Sequence, residues 1–589
     1  MYQSFKTPSS PETGAPRLKA LRAALAEAGL DGFLIPRADA HQGENVAPCD
    51  ERLAWLTGFT GSDGHAAVLP EIAGVFVDGR YTLQVRKQID LAVFTPQAIP
   101  EDRLSDWLQK HLGKGVVGYD PMLHSHGDIT KLEKALAPEI TLQQSPNMVD
   151  AVWQNRPAPP QGKIRPHPLE FAGKSSADKR AELAAKLREN GLSACVLTLP
   201  DSIAWLLNIR GSDIANTPVP LAFAILHADA SVTLITNPAK SSPELAAHLG
   251  PDVTIVDDFA TALKALKGKV GADRASAPVW VSQQLANPAW FPDPCILPKA
   301  CKNEAELNGS RQAHLRDAAA MCEFLAWIDQ GLAGQTEIDV VTKLESIRAR
   351  SNALTDISFD TICGSGPNGA IVHYRVDEAS NRTIENNTLL LVDSGGQYFD
   401  GTTDITRTVI IGTPDAEMIR GFTLVLKGML AISMLRFPIG TTGQQIDPFA
   451  RAPLWAEGLD YKHGTGHGVG AYLSVHEGPA RISPKSDVPL ETGMILSNEP
   501  GYYREGAWGI RIENLLIVSP PEDIGGEDKM HSFETLTWVP IDTRLIDPTR
   551  LTNAERDWLN TYHAEVLQKV SPSVSAKTLT WLQSACAAI

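Results

Sequence analysis

Helical and extended apolar patterns open the chain, and the same succession returns further on. Leu25–Leu30 reads as the end of an amphipathic helix stopped at Gly29, Gly32–Pro36 as a buried strand, and Leu53–Leu56 as a short helix with turns at Gly58 and Gly61. From Leu187 the order repeats: a helix stopped at Gly191, an apolar strand through Cys195–Leu197, a short helix at Ile203–Leu206 and a turn at Gly211. Trp55 and Trp205 share one sequence offset with the triplets Gly61–Ser62–Asp63 and Gly211–Ser212–Asp213. The pattern predicts one α/β unit used twice.

The proline-dense stretch Arg156–Pro168 separates the copies, and a second break falls at Asn287–Lys302. Beyond it, Leu315, Ala318, Cys322 and Leu325 recur at helical spacing, which predicts a long helix over 304–331. The remainder is rich in β-branched runs, glycine turns and His/Asp/Glu clusters, and Thr552–Glu555 reads as a capping box opening a terminal helix with Trp558, Leu559, Tyr562 and Val566 inward. The expected organisation is an N-terminal α/β domain over 1–156, a second over 157–302, and a third domain with a helical tail over 303–589.

A chain of 589 residues with 43% apolar and 21% charged positions carries enough material for several cores, which excludes a disordered scaffold. Its 53 basic and 69 acidic side chains leave a net charge of −16, which argues against a nucleic-acid binder. There is no apolar run of membrane-spanning length and no apolar core behind a basic start, so the expectation is a cytoplasmic protein with no membrane partner. Seven scattered cysteines without a Cys-x-x-Cys pair support neither a disulfide frame nor a zinc ribbon.

Candidate chemistry concentrates in the third domain. Thr388–Asp393 is an apolar strand ending in a carboxylate, with turn signals at Gly395–Gly396 and Asp400–Gly401 and a second strand expected over 402–411. In a hairpin with an even-numbered loop, an odd separation sets two residues on one face, so Asp393 and Asp404 can point the same way. A turn at Tyr398–Phe399 would set them opposite each other, and one at Asp400–Gly401 would stagger them. Two inward carboxylates repel unless something positive lies between them; the bland alternative has one capping a turn and the other paired with Arg407. Three further segments tilt the balance: His463–Gly464–Thr465–Gly466–His467, the Glu499 segment Ser497–Tyr502, and Gly509–Asn514 with Glu513. Asp393, Asp404, His467, Glu499 and Glu513 offer four carboxylates and one imidazole, a set whose charge balances two divalent cations in a hydrolytic site.

In this order and context, these five residues resemble the ligand set of the pita-bread metallopeptidases, the family of methionine aminopeptidase, prolidase and aminopeptidase P. Phe359–Asn368, Ile371–Arg375, Asp400–Arg407 and His463–His467, together with Asp39–Gln42 and Ala47–Asp50, resemble the long cytosolic aminopeptidase P type over essentially the whole chain. The resemblance implies an α/β fold with two creatinase-like N-terminal domains before a pita-bread catalytic domain. It implies hydrolysis of the bond between an N-terminal residue and a penultimate proline. Asp393 would bind one metal, His467 and Glu499 the other, and Asp404 and Glu513 would bridge. Glu499 would also carry the proton, and His373, His463 and His476 would be the non-ligand histidines that position substrate. Mn²⁺ is the implied ion; the donor set also suits Zn²⁺ and Co²⁺. A homodimer is implied as well. The first sixteen residues extend beyond the pattern.

Other motifs carry less. Gly364–Gly369 spells G-x-G-x-x-G, but Pro367 interrupts it and Ala370–Tyr374 reads as a strand, against a nucleotide loop. Arg80 resembles an arginine that such enzymes bring near the active site, and its bland role is a turn salt bridge. Two competing functions remain at this level: a prolidase restricted to Xaa-Pro dipeptides, and a non-catalytic pita-bread binding module. The module would have lost the ligands that this chain keeps.

Overall fold

The computed structural model describes residues 2–589; Met1, the first residue of the expected N-terminal domain, lies outside them. The chain forms two compact units, one of Pro8–Ile296 and the other of Leu297–Ile589 with the segment ending at Thr7.

In the first unit, helix α1 (Gly14–Glu27) buries Leu18, Leu21 and Leu25 at helical spacing. Six strands follow: β1 (Gly32–Pro36), β2 (His65–Val68), β3 (Ala73–Val77), β4 (Thr95–Ala98), β5 (Gly115–Tyr119) and β6 (Ile140–Gln144). They lie in the order β4-β3-β2-β1-β5-β6. Both faces are covered, because alternate side chains leave a strand on opposite sides: Phe33 and Ile35 join α1 in one core, and Leu34 joins Trp107 and Ile129 in the other.

The second half of this unit repeats the plan. After α2 (Ser176–Glu189) come β7 (Ala194–Leu197), β8 (Phe223–His227), β9 (Val232–Ile235), β10 (Val253–Val256), β11 (Val270–Ala272) and β12 (Pro288–Trp290), ordered β10-β9-β8-β7-β11-β12. In each sheet the central pair and its neighbour run antiparallel and the outer pairs run parallel. The internal echo in the sequence is thus a repeated topology. Trp55 and Trp205 sit in the matching short helices Arg52–Thr57 and Pro200–Leu207.

The other unit opens with α3 (Glu304–Ile328), whose start is fixed by a capping box between Asn303 and Glu306, and continues with α4 (Glu337–Arg348). β13 (Ile362–Ser365), β14 (Thr388–Ser394) and β17 (Ile405–Ile411) form one sheet, with the short pair β15 (Gly396–Tyr398) and β16 (Gly401–Thr402) at the hairpin end. Helices α5 (Ala416–Ser433) and α6 (Gly443–Trp455) precede β18 (Gly466–Gly468), β19 (Glu477–Ile482), β20 (Ile495–Asn498), β21 (Gly501–Arg504), β22 (Trp508–Arg511) and β23 (Asn514–Val518). Helix α7 (Asn553–Val570) starts at the Thr552–Glu555 capping box and buries Leu559, Tyr562 and Val566, with Trp558 half-buried and stacked on Tyr562; contrary to the expectation of a single closing helix, a last helix, Ala576–Ala585, follows it.

Three local expectations are corrected. Ala370–Tyr374 is not a strand: Gly366–Ala370 forms a 3-10 turn, consistent with Pro367 at its start, and the chain then bends. The strand expected over 402–411 is interrupted at Thr403–Asp404. Gly395–Gly396 is not a turn; Gly395 lets two chain segments approach, since a Cβ there would lie 1.9 Å from the Thr403 carbonyl oxygen. Within the first sixteen residues, read as an extension, Gln3 exchanges hydrogen bonds with the Thr361 backbone and Glu378 N donates to Phe5 O, which ties Gln3–Phe5 to this unit.

Candidate metal centre

The hairpin register decides where the first two carboxylates go. Asp393 lies opposite Thr406 and Val392 opposite Arg407, with the turn at Phe399–Asp400 between the two alternatives drawn from sequence. Asp393 and Asp404 therefore share a face as diagonal neighbours. Arg407 points the other way and donates to the carbonyl oxygens of Glu513, Val539 and Pro540. The bland pairing of an aspartate with Arg407 is thereby ruled out on geometry.

A glycine and a bulge bring His467 in. A Cβ at Gly466 would lie 1.9 Å from the Ser497 carbonyl oxygen, so β18 can lie against β20 only with glycine there. A bulge after His467 then shifts the register against β19. The His467 Nε2 atom lies 3.5 Å from Asp404 Oδ2 and 3.4 Å from Glu499 Oε1. Ligand atoms of Asp404, His467 and Glu513 all fall within 4.8 Å of one another. Thr406 donates its hydroxyl to Glu513 Oε2 at 2.8 Å, and Arg511 reaches Asp393 at 2.6 Å and Glu499 at 3.9 Å. All five residues named from sequence are thus brought together.

The electrostatics of this cluster are those of a cation site. Asp393, Asp404 and Glu513 are 7%, 4% and 1% exposed. Burial, reinforced by neighbouring carboxylates, raises the proton affinity of Asp404 and Glu513 well above the usual carboxylate range, and burial also raises that of Glu499. Asp393 Oδ1 and Glu513 Oε1 are buried with no hydrogen-bond partner among the described residues. Orphaned carboxylate oxygens aimed into a crowded acidic cluster fit divalent cations, which would satisfy the lone pairs and neutralise the repulsion.

The three other histidines line up differently. His463 Nε2 lies 2.9 Å from Tyr503 Oη and its Nδ1 2.7 Å from Gly464 O. The exposed His476 sets its ring edge-on to His467, centroids 4.3 Å apart. His373 follows the 3-10 turn and is half-buried, and the preceding Val372 carbonyl accepts from Arg511 Nη1 at 3.3 Å. Arg511 and Tyr503 were missed by sequence reasoning: Arg511 Nη1 donates to Tyr503 Oη at 2.7 Å, tying the acidic cluster to His463. Arg511 stands two residues before Glu513, so strand alternation sets the two side chains on one face, which was the one signal in the sequence that it lies beside the cluster. Arg80, in the other unit, pairs with Asp78 and Asp63.

Residues 308–520 match the model of metallopeptidase family M24, and 529–589 match the C-terminal region of that peptidase. Residues 17–152 and 155–306 each match a creatinase/prolidase N-terminal domain. The chain is 40% identical to aminopeptidase P2 of Arabidopsis thaliana, over 96% of this chain and 87% of that one. It is 39% identical to a probable Xaa-Pro aminopeptidase P of Aspergillus fumigatus, over 97% and 92%. An X-prolyl aminopeptidase from Caenorhabditis elegans, described as a cytosolic enzyme with a di-nuclear active site, superposes with a TM-score of 0.94 at 33% identity, covering 98% of this chain and all of that one. The dipeptidase PepE of Mycobacterium ulcerans covers only 62% of the chain, with a TM-score of 0.50 at 27% identity. With its convergent acidic cluster and duplicated N-terminal plan, the chain belongs to metallopeptidase family M24, among the Xaa-Pro aminopeptidases that carry two creatinase-type domains ahead of a pita-bread domain.

Proposed function

We propose that this protein is a two-metal aminopeptidase that releases the first residue of peptides whose second residue is proline. The observation that carries the reading is the buried convergence of Asp393, Asp404, His467, Glu499 and Glu513, with two carboxylate oxygens left unpartnered among the described residues. Asp393 would hold one ion, His467 and Glu499 the other, with Asp404 and Glu513 between them. Held by these residues, two such ions would supply an acidified water and Lewis-acid polarisation of the scissile carbonyl.

The remaining chemistry belongs to the side chains. Glu499, with its raised proton affinity and Oε1 held by the Ser497 hydroxyl at 3.2 Å, suits a group that accepts a proton and passes it to the leaving nitrogen. Tyr503 and His463 form a polar pair able to orient the substrate carbonyl, and Arg511 fixes Tyr503 and Asp393 together. His373 and His476 complete the positioning set. A prolyl nitrogen carries no hydrogen, so selectivity has to come from the fit of the ring rather than from an acceptor for that amide.

Finer features belong to the same reading. Mn²⁺ is the proposed ion, on the carboxylate-rich donor set. A homodimer is proposed, supported by the exposed Phe449 and Trp455 of the catalytic unit. A cytoplasmic location fits the seven free cysteines. The described helices include none long and apolar enough to cross a membrane. Domain boundaries near 156 and 302 accord with the two sheets of matching order. Metal analysis combined with hydrolysis of an Xaa-Pro-Xaa tripeptide tests the reading. Two equivalents of metal per chain and release of the first residue are expected, and full activity after verified chelation contradicts it.

A further inference from the structure

Resting on that reading, we propose that Asp447 and Arg451 of α6 are positioning residues that set the His463–His467 loop and, through it, Glu499. Ahead of β18, which begins at Gly466, residues 463–465 of this segment have no strand pairing of their own. Two of its five residues are glycines, which give up the most backbone freedom on folding, and Gly466 cannot carry a side chain because of the Ser497 carbonyl. Its shape has to be imposed from outside.

Arg451 supplies much of that constraint. Its Nη2 donates to the His463 carbonyl at 2.7 Å and its Nη1 to the Tyr461 carbonyl at 2.9 Å, while the guanidinium stacks 4.0 Å from the centre of the Tyr461 ring. Asp447, one helical turn earlier, holds the fork through Nε at 2.7 Å and Nη2 at 3.2 Å, and Asp460 takes a further contact from Nη1 at 3.0 Å. The same Asp447 accepts the Thr465 hydroxyl at 2.7 Å, and Tyr461 Oη also bonds to that hydroxyl. Thr465 then passes the constraint on, since its carbonyl accepts the Glu499 backbone N–H at 2.8 Å.

One buried pair is therefore bonded on one side to the main chain of His463 and on the other to the residue that carries Glu499. The platform is firm. Asp447 and Arg451 are both buried, and α6 packs so closely on α5 that a Cβ at Gly428 would lie 2.2 Å from the Ala450 carbonyl oxygen. Neither residue needs to touch substrate; each acts by holding a group that does.

The test uses the full-length protein with Thr465→Val, Thr465→Ser and Arg451→Lys. Thr465→Val removes the link while leaving the ion pair intact, so it decides the matter if Arg451→Lys fails to fold. Calorimetric titration of the metal-stripped protein with Mn²⁺ and steady-state kinetics on Arg-Pro-Pro are read together. Thr465→Val is expected to weaken Mn²⁺ binding and lower kcat by about 10-fold each, the range of lost outer partners of metal ligands, and Thr465→Ser is expected to restore both. Arg451→Lys is expected to raise KM as well, because His463 is loosened. A folded Thr465→Val with wild-type Mn²⁺ affinity, kcat and KM overturns the proposal, whatever its melting temperature. The Mn²⁺ arm is independent of peptide cleavage. If the wild type cleaves no Xaa-Pro peptide the functional reading fails, yet a weakened affinity in Thr465→Val still supports the clamp and an unchanged one overturns it.

Discussion

Arg511 Nη2 stands 2.6 Å from Asp393 Oδ2, a buried cation held against one member of an acidic cluster. The same guanidinium donates to Tyr503, so a single residue joins the ligand set to the Tyr503–His463 polar pair. Replacing it with alanine leaves Asp393 short of its counter-charge. Arg511→Ala is expected to lower the melting temperature, since breaking a buried ion pair costs about 3–5 kcal/mol. It is also expected to lower kcat by roughly 10²–10³ in the folded, metal-loaded fraction. Steady-state kinetics alongside metal analysis check this; a loaded variant with wild-type kcat contradicts it.

Glu513 gives a prediction with a definite sign. Its proton affinity is raised in the fold, by burial and then by Asp404 and Glu499. An acid whose folded pKa exceeds its unfolded value of about 4.3 binds protons more tightly when native. Its contribution is therefore favourable at low pH and is lost as pH rises from about 4.3 through the raised value. Metal-free Glu513→Gln is thus expected to melt higher than the metal-free wild type at pH 7, with the gap closing toward pH 4. The same variant binds less metal. Equal melting temperatures at pH 7 would count against like-charge repulsion in the empty cluster.

Much of this was legible in the sequence, for identifiable reasons. The repeated helix–strand order survived because apolar periodicity and glycine stops are local signals, and Trp55 and Trp205 marked corresponding short helices. Asp393 and Asp404 were readable as a pair because a shared face follows from strand parity, and His467, Glu499 and Glu513 because their local segments and charge complete a set that resembles a known ligand constellation. Register was not: the Phe399–Asp400 turn is set by contacts such as the Thr402 hydroxyl donating to Gln397. The interruption at Thr403–Asp404 was hidden for the same reason, since it depends on Gly395 approaching the Thr403 carbonyl. Arg511 escaped notice because an arginine in a strand says nothing about burial until its partners are in place.

Tyr503 is the neutral partner of His463. Burial pushes its phenol up to about 12, so the hydroxyl keeps its proton throughout the working range. Tyr503→Phe removes the contact with His463 and the acceptor for Arg511 while leaving the ligands in place. The expected outcome is a fall in kcat of about 10-fold or more at unchanged metal content, in the range of a lost proton-handling or positioning group. Loss of one metal equivalent would assign Tyr503 to the metal-holding set instead.

His563, on α7, makes stability acid-sensitive. It is fully buried, its Nε2 accepts the Ile541 N–H, and burial with the nearby Arg407 pushes its pKa down to about 4. The unfolded imidazole titrates near 6.5, so between about 6.5 and 4 the unfolded chain binds the extra proton. The contribution is complete above about pH 6.5 and is lost as pH falls toward 4, a span worth ~3 kcal/mol. His563→Gln keeps the acceptor without the titration and is expected to flatten the acid limb of urea unfolding measured from pH 7 to 4. An acid limb as steep as that of the wild type contradicts this.

The central claim is best tested by mass-spectrometric product analysis of the Mn²⁺-loaded protein offered Arg-Pro-Pro, Gly-Pro and Ala-Ala-Ala in one mixture. The account predicts free Arg with Pro-Pro and intact Ala-Ala-Ala, with Gly-Pro cleaved more slowly or left whole. Cleavage of Gly-Pro alone would contradict it in favour of a dipeptidase, and no cleavage with both metals bound would contradict it in favour of a binding module.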